Sequence, residues 1–580
     1  MSRRISVLLY SVLAFATYAA SLVLAFPKEF HPLVPYRADL YAPVALLGEP
    51  LTEVLFYPRP VVYLLQRGSG LLGIHGAIAA SIVVVLLSAA LTPVLISRFC
   101  GVKVNVIAFL TFLTLVFTQP EFYFQHRFDM FSVAAWFFML LAVFAADRWL
   151  REHGGRSLVL ALFFLLAMAL SKETYDLSAP VLLAALCVYH CRPREWRKVA
   201  LFLGGACFVE LAAECFNMVR FLHYAGAVPA SSPYAPNFHP ASIVTGLMHY
   251  LRALLPLTQS FVLALAVLFV VVAFWEQKRT LLMALAFLVA GVAALVPNAL
   301  LPRHDEIQYA WNAAPLLFAI VLFVPGGRWW RVLSQAALLA VAIFSVRTNA
   351  QVYNSFAQQW VLNEEHVSAR IDRALPIIRQ AMHGSHRIIV TGFRSAYHPW
   401  QYPGFIRKYF GSDVQWAYIV PRDKPQSADR TVNLTNPGGV RLESFDALAE
   451  FQEDGTLVRV LTGAAYRNAA SRDPDSILFP DLARQERILV SNPADFGALL
   501  TAGTQALTWG LPERAVPYLR RAAEVGPDNP YPWFFMGQSF QDEKNIQQAR
   551  ASYQKAIALD GPNGNPAFRQ ALAALPRSEK

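Results

Sequence analysis

The chain has 580 residues, of which 56% are hydrophobic and 15% charged, with a mean hydropathy of +0.38 and a formal net charge of +11. Soluble domains carry about 25% charged residues, so the composition excludes an ordinary soluble protein and indicates a multi-span membrane protein. The positive charge is not a nucleic-acid footprint, because the basic residues form no stripe interleaved with aromatics; they sit between apolar runs.

Crossing a hydrocarbon core about 30 Å thick takes roughly 17–25 apolar residues in a helix. Taken in chain order, such runs lie near 5–26, 71–97, 104–119, 130–146, 157–170, 178–190, 199–218, 256–275, 280–301, 312–325 and 332–346, which makes eleven candidates, several of them short. The first follows Arg3 and Arg4 as a signal peptide would. It is long for a signal, and PKEFHPLVP after it offers no small-x-small cleavage site, so it reads as an uncleaved span.

Lys and Arg beside membrane spans prefer the cytoplasm. With the N-terminus inside, the inner loops carry Arg3 and Arg4, then Arg98 and Lys103, then Arg148, Arg151 and Arg156. Further along they carry Arg192, Arg194, Arg197 and Lys198, then Lys278 and Arg279, then Arg328 and Arg331. The opposite loops hold only isolated cations such as Arg37, Arg59, Arg127, Lys172 and Arg303. This alternation predicts eleven crossings and an extracytoplasmic tail.

The polar residues of the outer loops are clustered. Residues 27–70 carry Tyr36, Arg37, Asp39, Glu49, Glu53 and the segment FYPRPVVYLL; the next outer loop carries Glu121, His126, Arg127 and Asp129. The segment LSKETYDLSAP brings Lys172, Glu173 and Asp176, and LPRHDEIQYAWNAAP precedes the tenth run. Charges of both signs at one membrane face suit a reaction that recognises a phosphate and deprotonates a hydroxyl. Plainer readings are an Arg127–Asp129 pair capping the fourth run and a Lys172–Glu173 pair snorkelling at a helix end. In the seventh run Glu210, Glu214 and Asn217 share one helix face, which suits a polar path or a structural seam. Cys187, His190 and Cys191 hint at metal, but with no second ligand cluster they read better as a helix end carrying two thiols.

The tail divides in two after a linker at 347–364. Residues 365–485 alternate helix-like SARIDRALPIIRQAM with strand-like HRIIVTG, VQWAYIVP and TLVRVLTG, which predicts a small α/β module with no phosphate loop or nucleophile elbow. Residues 490–580 repeat at 34: Gly503, Ala506, Ala515, Leu519 and Ala522 are followed at that offset by Gly537, Phe540, Ala549, Tyr553 and Ala556. This is the tetratricopeptide pattern in two copies. Since such stacks need about three units or a cap, the repeats are expected to lean on the α/β module or on the final PAFRQALAAL helix.

A cytoplasmic N-terminus, a long first outer loop with an early acidic residue, an Arg-x-Asp entering the fourth run, an SKE segment and C-terminal repeats together resemble the transmembrane and tetratricopeptide-containing O-mannosyltransferases. More broadly they are similar to polyprenyl-phosphate-dependent glycosyltransferases of the GT-C fold. The resemblance covers residues 1–346 in order and topology and 490–580 for the repeats. It implies a mainly α protein: a polytopic bundle of about eleven spans, followed by the α/β module and repeat hairpins outside the membrane.

The resemblance also implies roles. Asp39 would be the base on the acceptor, although Ala38 stands where many relatives carry a first acidic residue. Asp129 matches the second-loop aspartate, with Arg127 before it and Phe128 between. Arg59, Lys172, Glu173, Arg303, His304 and Tyr309 fall where relatives bind the donor phosphate and substrate. The donor would be a polyprenyl-phosphate sugar, the acceptor a protein, glycan or lipid presented with help from the repeats, and the setting a bacterial inner membrane with the tail in the periplasm.

Cations such as Lys172, Arg127 or Arg303 would stabilise charge developing on the leaving phosphate, and direct displacement with a carboxylate base predicts inversion. A divalent metal between the two carboxylates is an alternative that no ligand spacing demands. Two other classes stay open: a membrane-anchored scaffold or assembly factor working through its repeats, and a transporter of lipid-linked saccharide.

Overall fold

The computed structural model describes residues 3–24, 42–48, 51–56, 59–100, 104–119, 130–190, 196–225, 236–254, 278–301, 307–323, 336–349, 361–382, 384–392, 400, 403–419, 434–435, 437, 440–561 and 564–576. The chain forms two compact units, Met1–Glu365 and His366–Lys580.

The first unit is a helical bundle. Its principal helices are α1 Arg3–Leu24, α2 Pro60–Gly70, α3 Gly73–Cys100, α4 Val106–Phe117, α5 Met130–Glu152, α6 Gly155–Ala169, α7 Ser178–His190, α8 Trp196–Ala225, α9 Pro240–Leu254, α10 Lys278–Ala293 and α11 Ala336–Asn349. Four segments, His75–Phe99, Met130–Glu152, Trp196–Arg220 and Leu281–Ala299, are long and apolar enough to cross a membrane. Shorter apolar helices coincide with six more of the eleven runs, while the run at 256–275 lies outside the described residues.

Composition explains how these helices pack. Between helices surrounded by apolar solvent, small side chains permit close approach and hydroxyls satisfy themselves on their own helix. Ser88, Thr92, Thr111, Thr114 and Thr118 each donate to the carbonyl four residues back, at 2.7–2.9 Å. Buried alanines recur along α5, which packs on α3 and α6. Gly291 on α10 sits so close to Leu317 that an added Cβ would lie 2.6 Å from its side chain.

The tenth run departs from a simple span. It is a 3-10 turn, Ile307–Ala313, an α-helical turn, Ala314–Phe318, and a second 3-10 turn, Ala319–Phe323, with 310–323 buried throughout. A 3-10 segment rises about 2.0 Å per residue against 1.5 Å in an α-helix, so this short stretch reaches further than its length suggests. Helix α8 is the opposite case: Leu201, Phe208, Leu211 and Val219 are exposed, while Glu210 and Asn217 on its other face are buried.

Helix α12, Val361–Ala381, crosses from the last residues of the first unit into the second; it starts inside the expected 347–364 linker and is a longer helix than SARIDRALPIIRQAM. It precedes a sheet of β1 Arg387–Thr391, β2 Gln415–Ile419, β3 Leu434–Thr435, β4 Ala447–Phe451 and β5 Leu457–Thr462. The order is β3-β2-β1-β4-β5, parallel except for the β4–β5 hairpin. Strand β4 was not expected from the sequence. Ala-rich ALAEF favours a helix by propensity, but here it is wholly buried between β1 and β5, and burial in a sheet overrides propensity. Its inward Glu450 is paired with Arg459, directly opposite on β5, at 2.7 Å.

The helices α13 Phe496–Thr508, α14 Pro512–Val525, α15 Pro530–Asp542 and α16 Ile546–Asp560 form consecutive antiparallel pairs. Their starts follow the 34-residue period, 496 to 530 and 512 to 546. Asp495, Asn529 and Asn545 cap three of these helices by accepting a backbone N–H, which satisfies otherwise orphaned donors. Gly503 faces Leu519 and Gly537 faces Tyr553, and in both places an added Cβ would meet the partner at 2.5 Å. One hydrophobic core runs from Ile389, Ile419 and Leu448 of the sheet to Leu499, Leu519 and Met536 of the repeats, so residues 365–485 and 490–580 share a single interior.

Candidate functional site

Of the residues expected at the site, Asp39, Asp129, Arg127, Arg303 and His304 lie outside the described residues. Glu173 is placed by its backbone in a 3-10 turn, Glu173–Tyr175. Arg59, Lys172 and Tyr309 are described in full, and all three lie at the same end of the bundle, where α5 and α7 begin and α6 ends.

Arg59 is the residue before α2 and has φ 65° and ψ 52°, a left-handed conformation that costs free energy for any residue with a Cβ. Its guanidinium lies 5.7 Å from the centre of the Phe131 ring, in the first turn of α5 and two residues from Asp129. Its backbone N–H donates to Asn217 Oδ1 at 3.0 Å. The segment FYPRPVVYLL and the exit of the second loop are thereby brought together.

Lys172 follows the end of α6, and its N–H donates to the carbonyl of Met168 at 3.2 Å. The side chain is only 6% exposed, and its ammonium stands 5.0 Å over the ring of Tyr309. The surrounding turn is fixed to the tenth-run segment and to α10: Tyr175 Oη donates to Asn312 O at 2.9 Å, and Ser178 Oγ to Ala290 O at 2.7 Å. The SKE segment and the loop before the tenth run thus meet. A cation over an aromatic face is attracted by the ring quadrupole.

Sequence reasoning missed buried polar groups on α5, at the end of α4 and in the tenth run. Trp136 on α5 packs edge-on against Trp311 at 6.0 Å, and Trp311 Nε1 donates to Val116 O at 3.3 Å. The Asn312 amide, the Gln119 amide and the Trp136 indole N–H are buried with no hydrogen-bond partner among the described residues. Buried polar groups are normally paired, because leaving one unpaired forfeits its hydration, so these two amides and one indole are exceptions within an apolar interior. The only sequence signal was their polarity inside apolar runs.

The Cys187–His190–Cys191 hint resolves otherwise for His190. Its Nε2 lies 2.9 Å from Asp147, at the opposite end of the bundle, where the fully buried Asp147 also accepts from Arg98 Nε at 2.5 Å and Arg151 Nε at 2.9 Å. Among the described residues no three His, Cys, Asp or Glu side chains cluster as metal ligands. The two carboxylates that a metal would bridge, Asp39 and Asp129, lie outside them.

The sequence matches no known protein family and no curated protein.

Proposed function

We propose that this chain is an integral-membrane glycosyltransferase of the GT-C type, which moves one sugar from a polyprenyl-phosphate donor to a protein, glycan or lipid acceptor on the extracytoplasmic face. The observation carrying this reading is the buried Lys172 ammonium over Tyr309, at the same end of the bundle as Arg59 over Phe131. Cations held there by ring faces, beside an apolar bundle, suit a phosphate that arrives on a lipid tail. In this reading the helix pairs of 34-residue period are tetratricopeptide hairpins that present the acceptor, the N-terminus is cytoplasmic, and the membrane is a bacterial inner membrane.

The reaction follows from these roles. The acceptor hydroxyl oxygen attacks the anomeric carbon as Asp39 takes its proton, and the carbon–oxygen bond to phosphate breaks with its electron pair leaving on phosphate. Lys172 and Arg59, with Arg127 and Arg303, stabilise that charge, which grows in the transition state and so lowers the barrier. Asp129 orients the acceptor. Displacement from the face opposite the phosphate inverts the anomeric centre. The Asn312, Gln119 and Trp136 groups offer hydrogen bonds suited to a sugar or its ordered water.

The reading is tested by offering reconstituted protein a panel of radiolabelled polyprenyl-phosphate sugars, with Asp39→Asn and Asp129→Asn beside the wild type. Transfer or donor hydrolysis that Asp39→Asn abolishes in folded protein supports it. The absence of turnover and of donor binding, with both variants sustaining the cell's phenotype, moves the weight to a membrane-anchored assembly factor. That second reading draws on the well-packed repeat pairs of the second unit.

A further inference from the structure

We infer that Asn217 is a positioning residue: its side-chain amide holds the Arg59 backbone and the turn bearing Lys172 in register, so that both cations meet one phosphate. The substrate in this inference rests on the glycosyl-transfer reading; the clamp itself does not.

Arg59 stands between Pro58 and Pro60 with φ 65°. A proline after a residue steers that residue toward extended conformations, and a Cβ disfavours the left-handed region, so local sequence does not select this geometry. Strained backbone persists where surrounding structure over-determines it. The Arg59 side chain makes no cap hydrogen bond at the start of α2 among the described residues. The Arg59 N–H donates to Asn217 Oδ1 at 3.0 Å, a bond that spans 158 residues of sequence and ties this strained backbone to α8.

The other edge of the same amide points to the second cation. Asn217 Nδ2 donates to the carbonyl of Ala169 at 3.0 Å. Ala169 is the last residue of α6, and its carbonyl is one of those a helix terminus leaves without an intrahelical donor. Three residues later comes Lys172, whose backbone is bonded into the same terminus. Glu214, one turn earlier on α8, accepts a second bond from Nδ2 at 3.1 Å. A carboxylate only accepts, so Glu214 dictates which edge of the amide faces it and leaves Oδ1 for Arg59. The polar face of α8 is therefore a clasp joining α2, α6 and α8. Phosphate held between two cations is sensitive to their separation, because misplacement of a binding group by an ångström is costly.

Asparagine is the residue that fits. Aspartate keeps the acceptor for Arg59 but loses the donor to Ala169 and faces Glu214 as a like charge. Leucine leaves the Arg59 N–H and the Ala169 carbonyl without this partner.

The test uses full-length protein in nanodiscs and farnesyl phosphate as the probe. Asn217→Asp is expected to weaken farnesyl phosphate binding by about tenfold. Adding Glu214→Gln, which supplies a donor to the new carboxylate, recovers part of that loss, whereas Glu214→Gln alone changes little. Thermal unfolding judges the clasp without substrate: Asn217→Ala lowers the midpoint, and Arg59→Gly, which relieves the left-handed strain, offsets that loss. Strictly additive midpoint shifts would overturn the clasp. Wild-type affinity in folded Asn217→Asp would overturn its positioning role while leaving glycosyl transfer standing. If the wild type binds no farnesyl phosphate, the positioning role and the donor reading fall together, and non-additive midpoints then retain the clasp as architecture alone.

Discussion

Helix α5 has a charged cluster at each end, about 24 Å apart along its axis, and the two differ in kind. At its last turns the fully buried Asp147 is ringed by Arg98, Arg151 and His190, which come from three helices, and Arg151 also donates to Arg98 O at 2.7 Å. The one carboxylate there is shared by two guanidinium groups and an imidazole. At its first turn the Arg59 guanidinium lies against Phe131, and nearby the Lys172 ammonium lies against Tyr309. A carboxylate among cations ties helices together, whereas a ring face attracts a cation through its quadrupole without cancelling its charge. Burial of charge alone therefore does not mark a site; what lines the charge matters as well.

The largest expected effect breaks the Asp147 end. Asp147→Ala leaves Arg98, Arg151 and His190 facing each other with no carboxylate between them. Removing one partner of a buried ion network costs about 3–5 kcal/mol. Thermal unfolding in detergent should show a large fall in the midpoint, while the fraction that remains folded keeps its affinity for farnesyl phosphate. An unchanged midpoint would remove the distinction between the two ends.

Lys172→Met sharpens the comparison from the other side. Loss of one group stabilising transition-state charge is expected to slow transfer by about 10²–10³-fold, with a smaller fall in the unfolding midpoint than Asp147→Ala produces. Should the variant instead unfold as Asp147→Ala does, with activity falling only in step with folded protein, the ring-held cation is structural after all.

Gly537→Val serves as a control in the second unit. Its Cβ would lie 2.5 Å from the Tyr553 ring, and overpacking of this sort costs about 1–3 kcal/mol. Limited proteolysis should report loosening of the repeats, whereas farnesyl phosphate binding by the first unit should not change. A parallel loss of binding would show that the phosphate site depends on the repeats.

The smallest effect concerns Asp454, in the turn between β4 and β5. Partial burial raises its carboxyl pKa, but the Thr456 N–H at 2.9 Å, the Thr456 hydroxyl and the nearby Arg370 and Arg484 outweigh this and hold it below the ordinary value of 3.8. A depressed folded-state pKa contributes stability that is complete above the ordinary value and is lost as pH falls through the folded one. The carboxylate is half exposed, so solvent screening limits the contribution to about 0.5 kcal/mol. Asp454→Asn should therefore reduce stability slightly at neutral pH and leave it unchanged in strong acid, as measured by denaturant titration of the full chain at both pH values.

Much of the fold is local in origin, and for that reason the sequence determined it by itself. Apolar runs become apolar helices because a helix satisfies its own backbone in an apolar setting, and ten of the eleven runs coincide with such helices. The 34-residue period appears again in the starts of the helix pairs because small and large residues at fixed spacing dictate how two helices meet. Tertiary structure alone decided what depends on partners distant in sequence. ALAEF is a strand because neighbouring strands bury it, against its own helical preference. Glu210, Glu214 and Asn217 were legible as one polar helix face, but nothing in their spacing names Arg59 or Ala169 as the partners of Asn217. The same holds for Lys172 and Tyr309, and for the buried amides of Gln119 and Asn312. Propensity and hydropathy act over a few residues, whereas a hydrogen bond or ring contact is set by whichever groups the packed bundle brings within about 3–6 Å.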